Sequence, residues 1–358
     1  LLGTNPVLPG YEISQTTTIY DEAGAIVRKT VQQRPERGAP FEVPEGHLVK
    51  GISSLIDADG REIQRWVKTR EGASPESLAD ALREALEEHR GRASLPEPLP
   101  HADDDLLTLY ALPDLHLGAL SWGKETGENY DLGIACRTIR DAASELVSQS
   151  RPTRHAIMLG MGDYFHMNDR TNQTPKSGHV LDVDGRWPKV YKAGARVAVD
   201  LAHMVAERHP EVELRFLQGN HDPDAAVALT VALALYFDGH ERINVNDSPS
   251  IHYYRRFGKV LLGATHGHTM KPDRMAMMLA VDRAKDWGEA EHRHFVFGHV
   301  HHEQAREVGG VRVESFNSPA AKDAYAHAGG WRSGRSLVAI TFHRERGEVG
   351  RHRVNITA

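Results

Sequence analysis

Asp114-Leu115-His116, Gly162-Asp163, Gly219-Asn220-His221-Asp222, His266-Gly267-His268 and Gly298-His299-Val300-His301 follow one another along this 358-residue chain, each a short run of carboxylate, carboxamide or imidazole donors. The chain has 22 histidines, and many sit beside Gly or Asp in its second half, a grouping that points to metal chemistry. Two residues apart on an extended segment point the same way, so Asp114 and His116 can reach one ion, and so can His299 and His301. Mixed oxygen and imidazole donors suit Mn, Fe, Zn or Ni better than an all-oxygen Mg site. A carboxylate such as Asp163 can place one oxygen on each of two ions, and ions ~3.5–4 Å apart form the usual clamp for phosphoryl displacement. Any one of these motifs alone reads as an ordinary loop; their joint occurrence, in order, carries the reading.

The elements that must position them change character along the chain. Residues 11–68 alternate β-prone runs with turn signals, and they do so twice: Thr16 to Val27 is echoed by Ser53 to Ile63, each a strand, an Asp/Gly turn and a strand. This predicts an N-terminal β-hairpin module over residues 1–72. Arg34 to Pro44 reads as a polar connector, a helix is expected from about Ser74 to Glu88, and Leu95 to Pro100 is Pro-rich, so residues 73–104 read as helix and linker.

From 105 to 358, short apolar strands at Leu106–Leu112, Ala156–Leu159, Leu214–Leu217, Val260–Ala264 and His294–Phe297 alternate with helices at Asp131–Ser148, Ala193–Arg208, Ala225–Phe237 and Arg274–Asp286. Further strands follow at Val311–Phe316, Leu337–His343 and Arg351–Ile356. This is α/β layering, and each polar motif follows a strand end, the edge where open α/β sheets bind ligands.

The five motifs, in this order, resemble the calcineurin-like metallophosphoesterase superfamily over about Leu106 to Phe316. The resemblance implies a four-layer α/β/β/α sandwich and a two-metal phosphoric ester hydrolase. By position, Asp114, His116, Asp163 and His301 resemble the ligands of one ion, and Asp163, Asn220, His266 and His299 those of the other, with a metal-bridged hydroxide attacking phosphorus in line. Gly162-Asp163-Tyr164-Phe165-His166 is similar to the form in Mre11- and SbcD-type nucleases, which makes a phosphodiester, DNA above all, the expected substrate and Mn²⁺ the expected metal. The whole chain, hairpins included, is similar to metallophosphoesterases encoded by phages and prophages.

Leaving-group protonation needs an acid opposite the nucleophile. His221 is the first candidate, with Asp222 expected to fix its tautomer, and His166 is a second that would contact the phosphate or share the acid role. The segment from Met167 to Lys192 interrupts the alternation straight after the Asp163 strand; it reads either as a cover over the site or as a solvated insertion. Within it Arg170, Lys176, Arg186 and Trp187 are the candidate substrate contacts, by phosphate pairing or base stacking.

Composition bounds the partners. Forty-three Lys plus Arg against 49 Asp plus Glu give a net charge of -6, without the global positive field of many nucleic-acid binders, so a polyanion must be attracted locally, which bound cations would do. One cysteine, Cys136, excludes an intrachain disulfide, and the chain shows no charged-then-apolar leader, so a cytoplasmic location is expected. The chain opens at Leu1 rather than Met, which leaves room for a leader or domain ahead of it. No run reaches the ~20 apolar residues that span a bilayer, and exposed hairpin edges favour a homodimer. Two other functions fit the same residues. A phosphomonoesterase acting on a nucleotide or phosphoprotein would prefer p-nitrophenyl phosphate to a diester, and a binding or assembly protein with a structural metal site would hold metal without turnover.

Overall fold

The structure is a computed structural model that describes residues 7, 11–21, 24–35, 43, 47–56, 62–71, 80 and 102–357. It divides into two compact units, Leu1–Gly72 and Ala73–Ala358. Apart from Asp80, which is helical, the helix and linker expected between Ser74 and Pro100 lie outside the described residues.

In the first unit β1 (Tyr11–Tyr20) pairs antiparallel with β2 (Ile26–Pro35), and β3 (His47–Ile56) with β4 (Glu62–Glu71). The first turn is closed by the Asp21 carboxylate, which accepts the Ala25 N–H at 2.8 Å. The sequence echo has a structural counterpart: register breaks fall between Ile13 and Gln15 in β1 and between Val49 and Gly51 in β3, three residues into each strand.

The second unit is mixed α/β. Its six-stranded sheet runs β15-β14-β5-β6-β7-β8, from β5 (Asp103–Leu112), β6 (Thr153–Gly160), β7 (Glu211–Phe216), β8 (Ile243–Val245), β14 (Ser336–His343) and β15 (Gly347–Asn355). A five-stranded sheet runs β12-β13-β11-β10-β9, from β9 (His252–Phe257), β10 (Val260–Thr265), β11 (His292–Phe297), β12 (Gln304–Val308) and β13 (Val311–Ser315).

Strand periodicity explains why these runs are apolar throughout. Tyr110 and Leu112 of β5, Ala156 and Met158 of β6, and Leu337 and Ala339 of β14 face one core, shared with helices α2 (Leu132–Gln149), α3 (Trp187–Arg208) and α4 (Pro223–Tyr236). The alternate residues Leu107, Leu109, Ile157, Leu159, Val338 and Ile340 face a second core that meets Val260, Leu262 and Val296 of the other sheet. Leu261, Phe295 and Val313 turn outward to Met275 and Leu279 of α5 (Pro272–Asp282). Burial on both faces requires an unbroken apolar run, since period-two alternation then carries no polar side.

Three details differ from expectation. Helix α3 starts at Trp187, because Pro188 supplies a preset φ in its first turn. The stretch expected as one helix over Arg274–Asp286 breaks at Arg283 (φ -125°, ψ 40°) into α5 and α6 (Ala284–Glu289). β8, β9 and β12 were not foreseen: β8 has 3 residues, and β9 and β12 carry arginines on exposed faces. Two short helices, α1 (Gly123–Thr126) and α7 (Ala324–Ala328), lie in loops after β5 and β13. Among the described residues, no helix is long and apolar enough to cross a membrane.

Two buried polar side chains have testable consequences. Arg215, at 2% exposure, donates from its guanidinium to the carbonyls of Asn246, Ser248 and Ser250, tying the β8–β9 loop to β7. Arg215→Met strands those carbonyls and is expected to cost about 3 kcal/mol in urea unfolding; a change under about 0.5 kcal/mol would refute the anchoring role. His294 packs its ring edge on Phe342 at 4.9 Å, and burial above all pushes its imidazole down to about 4.

With the folded value below the unfolded one near 6.5, its contribution is complete at neutral pH and is lost as pH falls from about 6.5 toward 4. His294→Phe removes that titration while keeping a ring, so the variant should lose about 2 kcal/mol less than the parent between pH 7 and 4.5. Parallel stability curves in urea would show that His294 does not titrate this way.

Candidate metal centre

Every predicted ligand lies just past a strand: Asp114 and His116 after β5, Asp163 after β6, Asn220 after β7, His266 after β10, His299 and His301 after β11. The local backbone is not extended as the spacing argument assumed. Asp114, His116, Asp163, His299 and His301 have φ of 46°, 44°, 51°, 70° and 54°, five of the six non-glycine residues with positive φ among those described. Each such residue costs on the order of 1–3 kcal/mol and persists only where its surroundings over-determine it.

The surroundings here are close-packed backbone. A Cβ on Gly219 would stand 2.0 Å from Asp163 Oδ1, and one on Gly298 would stand 2.7 Å from Asp114 Oδ2. Gly219 and Gly298 are therefore glycine because carboxylates lie against them. The His299 N–H donates to Asp114 Oδ1 and Oδ2, both at 2.9 Å, and Ser318 Oγ–H donates to the Asp114 carbonyl at 2.7 Å. Ser318 was missed by sequence reasoning, although its place just past β13, on the same sheet edge, is a usable signal.

Three groups of donors result, each with ligand atoms within 4.8 Å of one another: Asp114, His116 and His301; Asp163, His266 and His299; and His116, His166 and His221. His299 and His301 thus turn to different groups, which corrects the spacing expectation that they share an ion. Left-handed backbone at both residues removes the period-two alternation on which that expectation rested. Asn220 joins the second group, its Oδ1 lying 3.0 Å from His266 Nε2. Asp163 Oδ2 lies between the first two groups, 3.2 Å from His266 Nε2 and 3.9 Å from His116 Nε2.

The electrostatics are those of a cation site. His116 Nε2 and His301 Nε2 face each other at 3.0 Å, a contact that two imidazoles sustain only through a shared proton or a cation. Burial, with His221 and His301 next, holds His116 well below its ordinary value, and burial brings His299 to about 4, so both present neutral lone pairs. Burial opposes charge on Asp163 and His266, but their mutual attraction outweighs it, holding the carboxyl well below its usual range and raising the imidazole to about 9. A cation would displace that His266 proton, because a ligating imidazole must be neutral. The donor set fits divalent metals.

The acid candidates are arranged differently from expectation. Asp222 is fully buried and accepts the N–H groups of Asp163 at 3.1 Å, Gly219 at 3.0 Å and Phe165 at 2.9 Å. Burial first, then the Asp163 charge, push Asp222 up to about 7. It braces the Asp163 loop; the expected contact that sets the His221 tautomer is made instead by the His166 carbonyl, 2.9 Å from His221 Nδ1. That carbonyl can only accept, so Nδ1 carries the proton. His166 stacks on His221 at 5.1 Å and places Nδ1 3.1 Å from His116 Nδ1; burial holds its imidazole near 3.

No protein-family model and no curated protein matches the chain. Solved structures similar to it include a predicted phosphoesterase of Streptococcus pneumoniae TIGR4, at 11% identity and TM-score 0.28, over 70% of this chain and 98% of that one. An archaeal phosphodiesterase matches at 12% identity and TM-score 0.34, over 70% of this chain and 99% of that one. Vps29 of Entamoeba histolytica, solved with zinc, matches at 14% identity and TM-score 0.28 over the same shares.

Of the four expected substrate contacts, three stand exposed and one packs inward. The segment after His166 is pinned to the loop that follows β5, with the Leu120 N–H on the Asp182 carbonyl at 3.0 Å and the Asp184 N–H on that of Gly118 at 2.8 Å. Arg170, Lys176 and Arg186 are exposed on it. After burial and His266, Lys176 is among the groups that lower His268. Trp187 does not face a ligand; its ring packs on Tyr191 at 5.3 Å against the helix-side core.

Proposed function

We propose that this protein is a two-metal phosphodiesterase of the calcineurin-like type that acts on DNA. The observation that carries the reading is the single carboxylate oxygen, Asp163 Oδ2, standing between two donor groups, His116 with Asp114 and His301 on one side and His266 with His299 and Asn220 on the other. Two sheets sharing a core, with helices on the outer face of each, support the four-layer α/β/β/α reading that the motif order implies. The Gly162-to-His166 motif supports a diester over a monoester.

Divalent ions held there, Mn²⁺ foremost with Fe, Zn or Ni as alternatives, would neutralise phosphoryl oxygens and lower the pKa of water. The chain supplies the rest. Asp114, His116, Asp163, Asn220, His266, His299 and His301 would hold the ions. His221, held through its Nδ1–H on the His166 carbonyl, would as the imidazolium give its Nε2 proton to the leaving oxygen and return to the neutral Nδ1–H form. Asp222 keeps the Asp163 turn in its left-handed conformation.

The test is metal-stripped protein reloaded with Mn²⁺ and assayed on bis-p-nitrophenyl phosphate, p-nitrophenyl phosphate and labelled single- and double-stranded DNA. Metal-dependent cleavage of the diester and of DNA is the expected result. Turnover of the monoester alone would redirect the reading to a phosphomonoesterase, and bound metal without turnover of any ester would make the centre structural.

A further inference from the structure

The loops that hold the ligands also carry aromatic side chains with no core to enter. Trp122 is 59% exposed on the loop after β5, six residues beyond His116; in that loop the Ala119 N–H donates to the His116 carbonyl at 3.0 Å. Tyr325 and Trp331, 67% and 55% exposed, lie on the loop after β13, whose Ser318 holds the Asp114 carbonyl. Their rings meet edge-on at 5.3 Å.

The segment after His166 closes the group: its His179 ring lies 6.2 Å from Tyr325, and Val180 beside it is 79% exposed. Helices α1 and α7 pack together, so the loops of Trp122 and Tyr325 are neighbours. The cations are local: Lys124 lies 5.6 Å over the Trp122 ring, and Arg332 follows Trp331. Among the acids there, Glu128 is engaged by Arg335 and Asp184 by the Leu132 N–H, while Glu125 and Asp182 are exposed.

Exposed aromatics clustered at one place mark a binding surface rather than a solvated one. Flat rings interleaved with cations at the rim of a phosphate-directed centre match the chemistry of unpaired nucleobases on a phosphodiester backbone, which stack on aromatic faces whatever the base. We infer that Trp122, Tyr325 and Trp331 form a base-stacking rim beside the metal centre, making the substrate a single-stranded or otherwise unpaired nucleic acid. Its catalytic consequence rests on the phosphodiesterase reading; its binding consequence does not. Duplex DNA hides its base faces, so the rim favours single strands over double.

The experiment pairs two esters with one leaving group and one charge, thymidine 5′-(p-nitrophenyl) phosphate and methyl p-nitrophenyl phosphate, on the full chain loaded with Mn²⁺. The ratio of their kcat/KM values is expected to fall about 10-fold for each engaged ring removed in Trp122→Ala, Tyr325→Ala and Trp331→Ala, and to recover in Trp122→Phe, Tyr325→Phe and Trp331→Phe. A second arm measures anisotropy of a labelled oligothymidylate against an abasic strand of equal length and charge, at fixed salt. Preference for the base-bearing strand, lost in the Ala variants, is the expected result.

If neither ester is hydrolysed, the phosphodiesterase reading fails while the binding arm still decides the rim. Equal binding of both strands, or an ester ratio unchanged within about twofold in all three Ala variants, overturns the rim. Light scattering that shows a dimer dissociating in the Ala variants, with base preference intact, would instead make this face a contact between two copies.

Discussion

Asp163→Ala is expected to lower kcat on bis-p-nitrophenyl phosphate by roughly 10³-fold or more, with metal content falling from about two ions per chain. The size follows from the position of its carboxylate between the two donor groups: losing it removes a ligand from both, and metal-borne charge stabilisation is worth several kcal/mol, with about 1.4 kcal/mol per factor of ten. The side chain also accepts the His221 N–H at 2.8 Å, so Asp163→Asn serves as the second variant. Asn keeps that acceptor and the packing against Gly219 but removes the charge. Steady-state kinetics with metal analysis of both variants decides the matter. Near-parental turnover with two ions retained would sink the two-metal reading.

The second large effect concerns His221. A general acid typically contributes ~10²–10⁴-fold when the leaving group needs a proton. Cleavage of DNA expels an alkoxide, which does; cleavage of bis-p-nitrophenyl phosphate expels p-nitrophenolate, a stable anion with little need of one. His221→Ala should therefore lose ~10²-fold or more on a labelled oligonucleotide and far less on the nitrophenyl diester. Losses of equal size on both substrates would assign His221 to positioning or metal binding, a role its membership of the third donor group makes chemically accessible. His166→Ala is the informative companion: it keeps the backbone carbonyl that orients His221 and deletes the ring that stacks on His221 and lies beside His116.

The mixed α/β character of residues 102–357 and most strand and helix positions near the site are legible in the primary sequence, because chain-local periodicity reports burial directly. A strand covered on both faces is apolar at every position, as in Leu106 to Leu112, and an amphipathic helix such as α2 repeats its apolar face. The donors were named on another ground, the joint order of five motifs at strand ends and the resemblance that order carries, and the structure brings their side chains into neighbouring groups. What failed locally were β9 and β12, whose exposed arginines mask pairing set by distant neighbours, and the break at Arg283.

Spacing along the chain could not say which donors meet, and the packing of separate loops does. His299 and His301 part company because left-handed backbone cancels strand alternation, and that backbone is held by Asp114, 185 residues away in sequence. Asp222, adjacent to His221, spends its oxygens on Asp163, Gly219 and Phe165, while His166 supplies the contact that sequence adjacency had assigned to Asp222. Trp187 turned into the core, and Trp122, Tyr325 and Trp331, unremarkable in sequence, were left at the rim. Periodicity encodes how deeply a residue is buried within its own element, whereas ligand grouping depends on how loops from separate strands approach one another, and that is set by the packing of two sheets through a shared core.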